Sequence, residues 1–347
     1  MSGPGDGSGS LLAGFWYPVC AARELGRRPI ARALAGLPLA LFRDEAGAPA
    51  ALVDRCPHRN APLSLGRREE DGTLACAYHG WRFDRAGACR RVPGLDDPGG
   101  APARSATAHP AMEQDGLVWV FSTPGPMPAS RPFRLPNLDD PTYTTVRHAR
   151  SLSGSLHAAV ENALDVPHTA FLHGGLFRTP RRRHTVEVRV RRGADRVEAE
   201  YAGEPAPAGL AGRILAPRGG TVEHVDRFVL PCLTQVEYRL GRSRLVVTTA
   251  FTPVGEDSLR LFAAVTFRTP LPGWLLVPLL APVALGVLRQ DARILAAQAA
   301  NVRRFGGERF ANTELDVLGP HVGHLLRRAA RGEPGELLEV PPTRMEV

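Results

Sequence analysis

Cys56-Pro57-His58-Arg59 and Cys76-Ala77-Tyr78-His79-Gly80-Trp81 decide the reading of this chain. Seventeen residues separate His58 from Cys76, and each short segment offers one thiolate and one imidazole. A Cys₂His₂ zinc finger would bring Cys beside Cys and then His beside His. The mixed pairing is instead the donor set of a [2Fe–2S] centre in which two imidazoles replace two thiolates on one iron. Each loop then gives its Cys to one iron and its His to the other. Cys56 and Cys76 are expected on the inner iron, His58 and His79 on the outer one. Neutral imidazoles leave less negative charge on the cluster and raise its reduction potential. This donor pattern belongs to electron transfer.

Working outward, 347 residues make one large or two ordinary domains, and 44% hydrophobic with 22% charged residues describes a soluble globular protein. Of five cysteines, Cys20, Cys89 and Cys232 remain after the loops are served. An odd remainder gives no disulfide framework and fits a reducing compartment, so a cytoplasmic location is expected. The net charge of +8 is nearly all arginine and is spread along the chain. It suits a solvated surface or an acidic redox partner better than nucleic acid, and no nucleic-acid partner is expected. Residues 1–10 are Gly/Ser-rich without a basic start and apolar core, so no secretory signal is expected.

Leu39-Ala40-Leu41-Phe42 and Ala50-Ala51-Leu52-Val53 read as strands around the turn at 44–47, the second delivering the chain into Cys56. Leu117-Val118-Trp119-Val120-Phe121 is a further strand before Pro124-Gly125-Pro126-Met127-Pro128, where proline stops both ladders and helices. The expected division is a flexible N-terminus over 1–14, an all-β cluster domain over 15–125, a second domain over 126–335 and a tail over 336–347. Within the second domain a helix is expected over 156–171. Six strands follow, over 185–190, 196–201, 221–230, 233–240, 244–252 and 259–269, suggesting one curved antiparallel sheet.

The helical stretch carries Glu161-Asn162-Ala163-Leu164-Asp165-Val166-Pro167-His168 and then His173. Asp165 and His168 share a helix face at a separation of three. His173, five residues beyond His168, falls about 140° round an ideal helix, so the two imidazoles need a break to converge. Pro167 supplies one, because it lacks the N–H for the bond to Ala163 and starts a new first turn; Gly174-Gly175 ends the segment. A late helix over 284–304 sets Asp291 among Val287, Leu288, Ile294 and Leu295. An ionised carboxylate on an apolar stripe is costly unless it pairs or ligates a metal. Two His and one carboxylate with open positions is the donor set of non-haem Fe(II) oxygenases, so His168, His173 and Asp291 are the expected ligands. Glu314 and Asp316 are the alternatives for the third.

With these motifs in place, the chain resembles the oxygenase (α) component of the Rieske non-haem iron oxygenases along nearly all its length. The likeness rests on Trp16-Tyr17-Pro18, the two Cys/His loops, Asn162-x-x-Asp165-x-x-His168-x-x-x-x-His173, and Gln290-Asp291 through Gln298. Ala77 departs from the proline common at that place. The resemblance implies an α+β chain: an N-terminal Rieske all-β [2Fe–2S] domain, then a helix-grip (START-like) antiparallel-sheet catalytic domain. It implies a Rieske cluster and a mononuclear Fe(II), mono- or dioxygenase activity, a homotrimer, and electrons from a separate reductase or ferredoxin. It further implies that Asp165, with Asn162 beside it, links one subunit's Rieske histidine to the next subunit's iron histidine.

The uncharged run over 271–288, with three prolines, is expected to roof the active site or to form an apolar entrance in peripheral contact with a membrane's inner face. Its prolines and its passage into the ligand helix argue against a membrane span. Either role suits a large apolar substrate, with a sterol or other polycyclic lipid expected first, and O-demethylation or ring hydroxylation of small aromatics second. A bare electron carrier would leave the second metal motif unexplained, whereas a lipid-binding helix-grip protein with a vestigial cluster predicts a chain that holds the cluster irons and no third. The segment from Arg178 to Arg183 is a candidate for meeting a carboxylate or an acidic partner.

Overall fold

The computed structural model describes residues 11–96, 102–173, 185–204 and 222–346. The expectations placed on Gly174-Gly175 and on the segment from Arg178 to Arg183 lie outside the described residues. The chain forms two compact units, Leu11–Arg134 with Thr252–Glu256, and Leu135–Phe251 with Asp257–Val347.

The first unit is all β apart from short 3₁₀ turns. Strands β1 (Trp16–Ala21), β10 (Ala111–Gln114) and β11 (Leu117–Phe121) form one sheet. β2 (Ile30–Leu34), β3 (Leu37–Arg43), β4 (Pro49–Val53) and β9 (Ala108–His109) form a second. The third joins four short strands, β5 (Arg67–Arg68), β6 (Leu74–Ala75), β7 (Arg82–Phe83) and β8 (Cys89–Arg91). Leu39 to Phe42 are buried on both faces of β3, which explains a continuous apolar run where an edge strand would alternate. Phe42, Leu52, Leu63, Leu74 and Phe83 pack with Cys56 and Cys76 in one core, so the cluster loops grow out of the best-buried part of the unit. The proline stretch at 124–128 lies inside this unit and does not end it. The chain stays tied as far as Arg134, because Trp16 Nε1 donates to Ser130 O (3.2 Å) and Gln114 Nε2 to Pro132 O and Phe133 O (both 3.1 Å).

The second unit is built on a nine-stranded sheet. Its order is β12 (Thr144–Ser153), β18 (Ser258–Arg268), β17 (Ser243–Gly255), β16 (Leu233–Leu240), β15 (Glu223–Val229), β14 (Arg196–Ala202), β13 (Thr185–Arg192) and β19 (Leu338–Glu339), with β20 (Thr343–Glu346) also on β13. The six expected strands are present as the centre of the sheet. β12 escapes a sequence reading because Arg147, His148 and Arg150 break any apolar alternation; no more than its Leu152 is fully buried. Among the described residues the helices of this unit are α1 (Leu156–Leu164), α2 (His168–Leu172), α3 (Gly273–Phe305) and α4 (Gly319–Ala330). Helix α1 packs on β15 and β16 and against α4, and α3 runs along β12.

Two expectations about α3 change. The helix begins at Gly273, with Pro278 and Pro282 inside it, not near residue 284. Missing proline N–H groups are tolerated where the freed carbonyls can be hydrated, and Pro282 is exposed. The run over 271–288 is therefore no buried roof: Trp274 is 73% and Leu279 57% exposed. Ile294 likewise faces solvent, and the inward stripe passes through Leu288, Asp291, Leu295 and Ala299.

Register also builds a feature that no local pattern announces. Tyr201, His224 and Tyr238 stand directly opposite one another on β14, β15 and β16. The imidazole stacks between the two phenol rings at 4.6 and 4.2 Å. Its Nδ1 meets Glu204 Oε2 at 2.7 Å and its Nε2 meets Asp226 Oδ1 at 2.9 Å. Burial alone would strip the proton from His224, but the Asp226 and Glu204 carboxylates outweigh it and lift the pKa to about 9. A proton held more tightly folded than unfolded stabilises fully below about pH 6.5, and that stabilisation is lost as pH rises through about 9. Denaturant melts should show about 3 kcal/mol of stability lost from pH 6.5 to above 9 that is missing in His224→Asn. Parallel pH curves for the two proteins would contradict a buried imidazolium.

Candidate metal centres

In the first unit each cluster loop closes on its own cysteine. Cys56 N donates to Ala61 O (2.8 Å) and Asn60 N to Cys56 O (2.9 Å); Cys76 N donates to Trp81 O (2.8 Å) and Gly80 N to Cys76 O (3.0 Å). The fifth residue of each loop turns left-handed, Asn60 at φ 61° and Gly80 at φ 71°. Asparagine and glycine are the residues that reach this region at little cost. The shared turn holds both thiols in the core while the imidazoles leave from different positions, His58 third in its loop and His79 fourth in the other.

The two rings meet edge to face at 4.6 Å, and His58 stacks flat on Trp81 at 4.7 Å. Burial pushes the Cys56 thiol up to about 11, with Cys76 adding to the rise. A thiolate is stable in such a place only beside a cation. Burial and then the nearby His79 and Arg59 lower the pKa of His58, favouring the neutral imidazole that binds metal. His58 Nδ1 is buried and has no hydrogen-bond partner among the described residues. A buried orphan nitrogen on a loop that begins at a buried thiol fits a cluster of mixed ligands.

In the second unit α1 stops at Leu164, and Asp165 caps it in an extended conformation with its N–H on Glu161 O (2.8 Å). The break thus falls just before Pro167, because the residue preceding a proline avoids helical geometry. Pro167 caps α2, which starts at His168. Asp165 and His168 consequently meet across the break and not along one helix face: Asp165 Oδ2 accepts from His168 N at 3.2 Å.

Tautomers follow from the remaining partners. His168 Nδ1 donates to Asp165 O at 2.6 Å, and His173 Nδ1 donates to Gln290 Oε1 at 2.8 Å. Both Nε2 lone pairs are left to face each other, 3.2 Å apart. Asp291 Oδ1 lies 3.1 Å from His173 Nε2 and 3.7 Å from His168 Nε2, buried and without a hydrogen bond among the described residues. Three donors at right angles round a metal with bonds of about 2.1 Å would stand about 3.0 Å apart, close to this spacing. Burial resists protonation of His168, yet Asp165 and Asp291 raise its pKa to about 9, so the site attracts a cation. These are the histidines and carboxylate that could hold a metal, with ring nitrogens anchored as metal-bound imidazoles are.

Gln290 is the residue that sequence reasoning gave no role. Its contact spans 117 positions, and its neighbour Asp291 was the signal that could have found it. Asn162 is half-buried on α1, and its side-chain amide makes no hydrogen bond among the described residues. Glu314 is exposed, and Asp316 is committed to Thr313, whose N–H it accepts at 2.6 Å, so neither alternative reaches the cluster.

Comparison with known proteins agrees with both halves. Residues 15–107 match the Rieske [2Fe-2S] domain, and residues 154–332 match the vanillate O-demethylase oxygenase C-terminal domain. The dicamba O-demethylase oxygenase component of Stenotrophomonas maltophilia is 36% identical over 171 residues, 47% of this chain and 48% of that protein. The chloroplastic flavonoid 8-hydroxylase 2 of Ocimum basilicum is 34% identical over 174 residues, 47% of this chain and 34% of that protein. The match thus spans about half, or less, of these relatives' length. The crystal structure of dicamba monooxygenase bound to 3,6-dichlorosalicylic acid superposes with a TM-score of 0.74 at 25% identity, covering 93% of this chain and 98% of that one. With the fold, the two domain matches and the mixed Cys/His loops together, the chain belongs to the Rieske non-haem iron oxygenases.

Proposed function

We propose that this chain is the terminal oxygenase of a multi-component system and O-demethylates a small aromatic compound at a mononuclear iron held by His168, His173 and Asp291. The observation that carries the reading is the convergence of those three side chains in a chain that also bears the Cys56/His58 and Cys76/His79 loops. When bound, the Rieske cluster supplies electrons singly and the mononuclear Fe(II) supplies oxygen activation beside the substrate. The residues themselves orient and neutralise. Asp165 O and Gln290 Oε1 fix the ring nitrogens, and the Asp291 carboxylate offsets part of a cation's charge. The sequence carries no nicotinamide or flavin motif, so a separate reductase or ferredoxin is the electron donor, and a homotrimer is the assembly we expect. A cytoplasmic location is the one we expect.

The expected sterol gives way to an aromatic substrate. The matched C-terminal family takes its name from vanillate O-demethylation, and a relative acts on dicamba by the same chemistry. The flavonoid hydroxylase favours ring hydroxylation as the second reading. The test is turnover with a surrogate reductase against methoxybenzoates, unsubstituted benzoates and sterols. O-demethylation predicts formaldehyde released one for one with oxygen consumed, from methoxyarenes only. Hydroxylated arene without formaldehyde would establish the second reading, and turnover of sterols alone would overturn both.

Two substitutions probe the supporting residues. Gln290→Leu should weaken iron binding about 10- to 100-fold by freeing the His173 ring; unchanged affinity in metal titrations would make Gln290 incidental. Asp165→Asn should retain both metals yet slow reoxidation of the reduced cluster in single turnover about 10- to 100-fold. A wild-type rate would remove Asp165 from the path between the centres.

A further inference from the structure

The exposed side of α3 changes character along its length. No charged residue occurs between Arg268 and Arg289, and within this run Trp274, Leu275, Leu279, Pro282 and Val283 are exposed. The helix is apolar enough over 18 residues to satisfy a bilayer, with a mean hydropathy of 1.4 and 6% of that window buried. About two to six turns later the same side presents Arg289, Arg293 and Arg304, while Asp291, the helix's one acid, faces inward towards the histidines. Arg289 and Arg293 have no acidic partner among the described residues.

We infer that this face of α3 docks the protein on an anionic lipid surface, its apolar N-terminal half seated at the acyl boundary and its arginines on the phosphates. Apolar area and basic charge act together in such binding, and a tryptophan at the end of the apolar half suits the interface. The chain's net charge of +8 favours the same partner. Pairing of this face with the same face of a second copy fits less well. Parallel pairing would set arginine against arginine, and antiparallel pairing would bury guanidinium on Leu279. Pro278 and Pro282, together with Asp291 and Gln290 on the neighbouring turns, argue for a helix lying on the surface and not through it. The docking does not depend on which arene is the substrate.

Co-sedimentation of the holoenzyme with vesicles tests this, comparing phosphatidylcholine alone with equal parts phosphatidylcholine and phosphatidylglycerol. Binding to the mixed vesicles is expected, with a blue shift of tryptophan emission that disappears in Trp274→Phe. Leu275→Glu with Leu279→Glu should lower the bound fraction about tenfold or more while the cluster absorbance persists. Arg293→Ala should lower it several-fold, and added salt should do the same. Absence of binding, or equal binding to the neutral vesicles, would overturn the proposal. A change of molecular mass in the Leu275→Glu/Leu279→Glu protein by light scattering, without vesicle binding by the wild type, would assign the face to a second copy instead.

Discussion

Asp291→Ala is expected to remove the mononuclear iron and all oxygenation while the visible spectrum of the cluster persists. The carboxylate oxygen stands 3.1 Å from His173 Nε2 and 3.7 Å from His168 Nε2. Two imidazoles without the anion bind Fe(II) weakly, since even groups that merely support a ligand are worth 10- to 100-fold in affinity. A loss of about 100-fold or more should therefore leave two irons per chain, both in the cluster. If Asp291 is a structural carboxylate, the variant keeps its third iron, and any loss of turnover follows a loss of stability. Retention of three irons and full turnover in a well-folded Asp291→Ala protein would remove it from the metal.

Cys56→Ala should have the complementary effect: no cluster, no visible absorbance, no reductase-driven turnover, and one iron per chain left in the second unit. Cys56 is 2% exposed and packs in the same core as Phe42, Leu63 and Phe83. Losing the cluster therefore also withdraws metal-binding energy from the folding of the first unit, and its melting temperature should drop. Cys56→Ser, which keeps the volume, should lose the cluster equally. A Cys56→Ser protein with an intact cluster spectrum would show that this thiolate is not a ligand.

How far the sequence revealed these centres depended on how local each one is. The cluster loops were legible because ligand, turn and closing hydrogen bond all fall within six residues, as in Cys56 to Ala61. The break before His168 was legible because proline acts on its own neighbours, although Asp165 proved to bridge the break and not to share a helix face with His168. Asp291 stood out as a charge on an apolar stripe, and Leu288 and Leu295 sustain that reading while Ile294 does not. Contacts made by register or across the unit left no local trace. The Tyr201–His224–Tyr238 row depends on three strands pairing in one alignment, and Gln290 on a helix returning to His173. The apolar run over 271–288 failed for a different reason. Hydrophobicity says that a surface should be covered, but not whether protein or lipid covers it.

Anaerobic iron and acid-labile sulfide analysis tests the two-centre account most directly, with EPR of the same sample after reduction. Three irons and two sulfides per chain, with a reduced mixed-ligand cluster signal and a separate ferrous-nitrosyl signal once nitric oxide is added, is the result expected. Two irons and two sulfides in active, fully loaded protein would contradict it, leaving His168, His173 and Asp291 as a cluster of side chains without a metal.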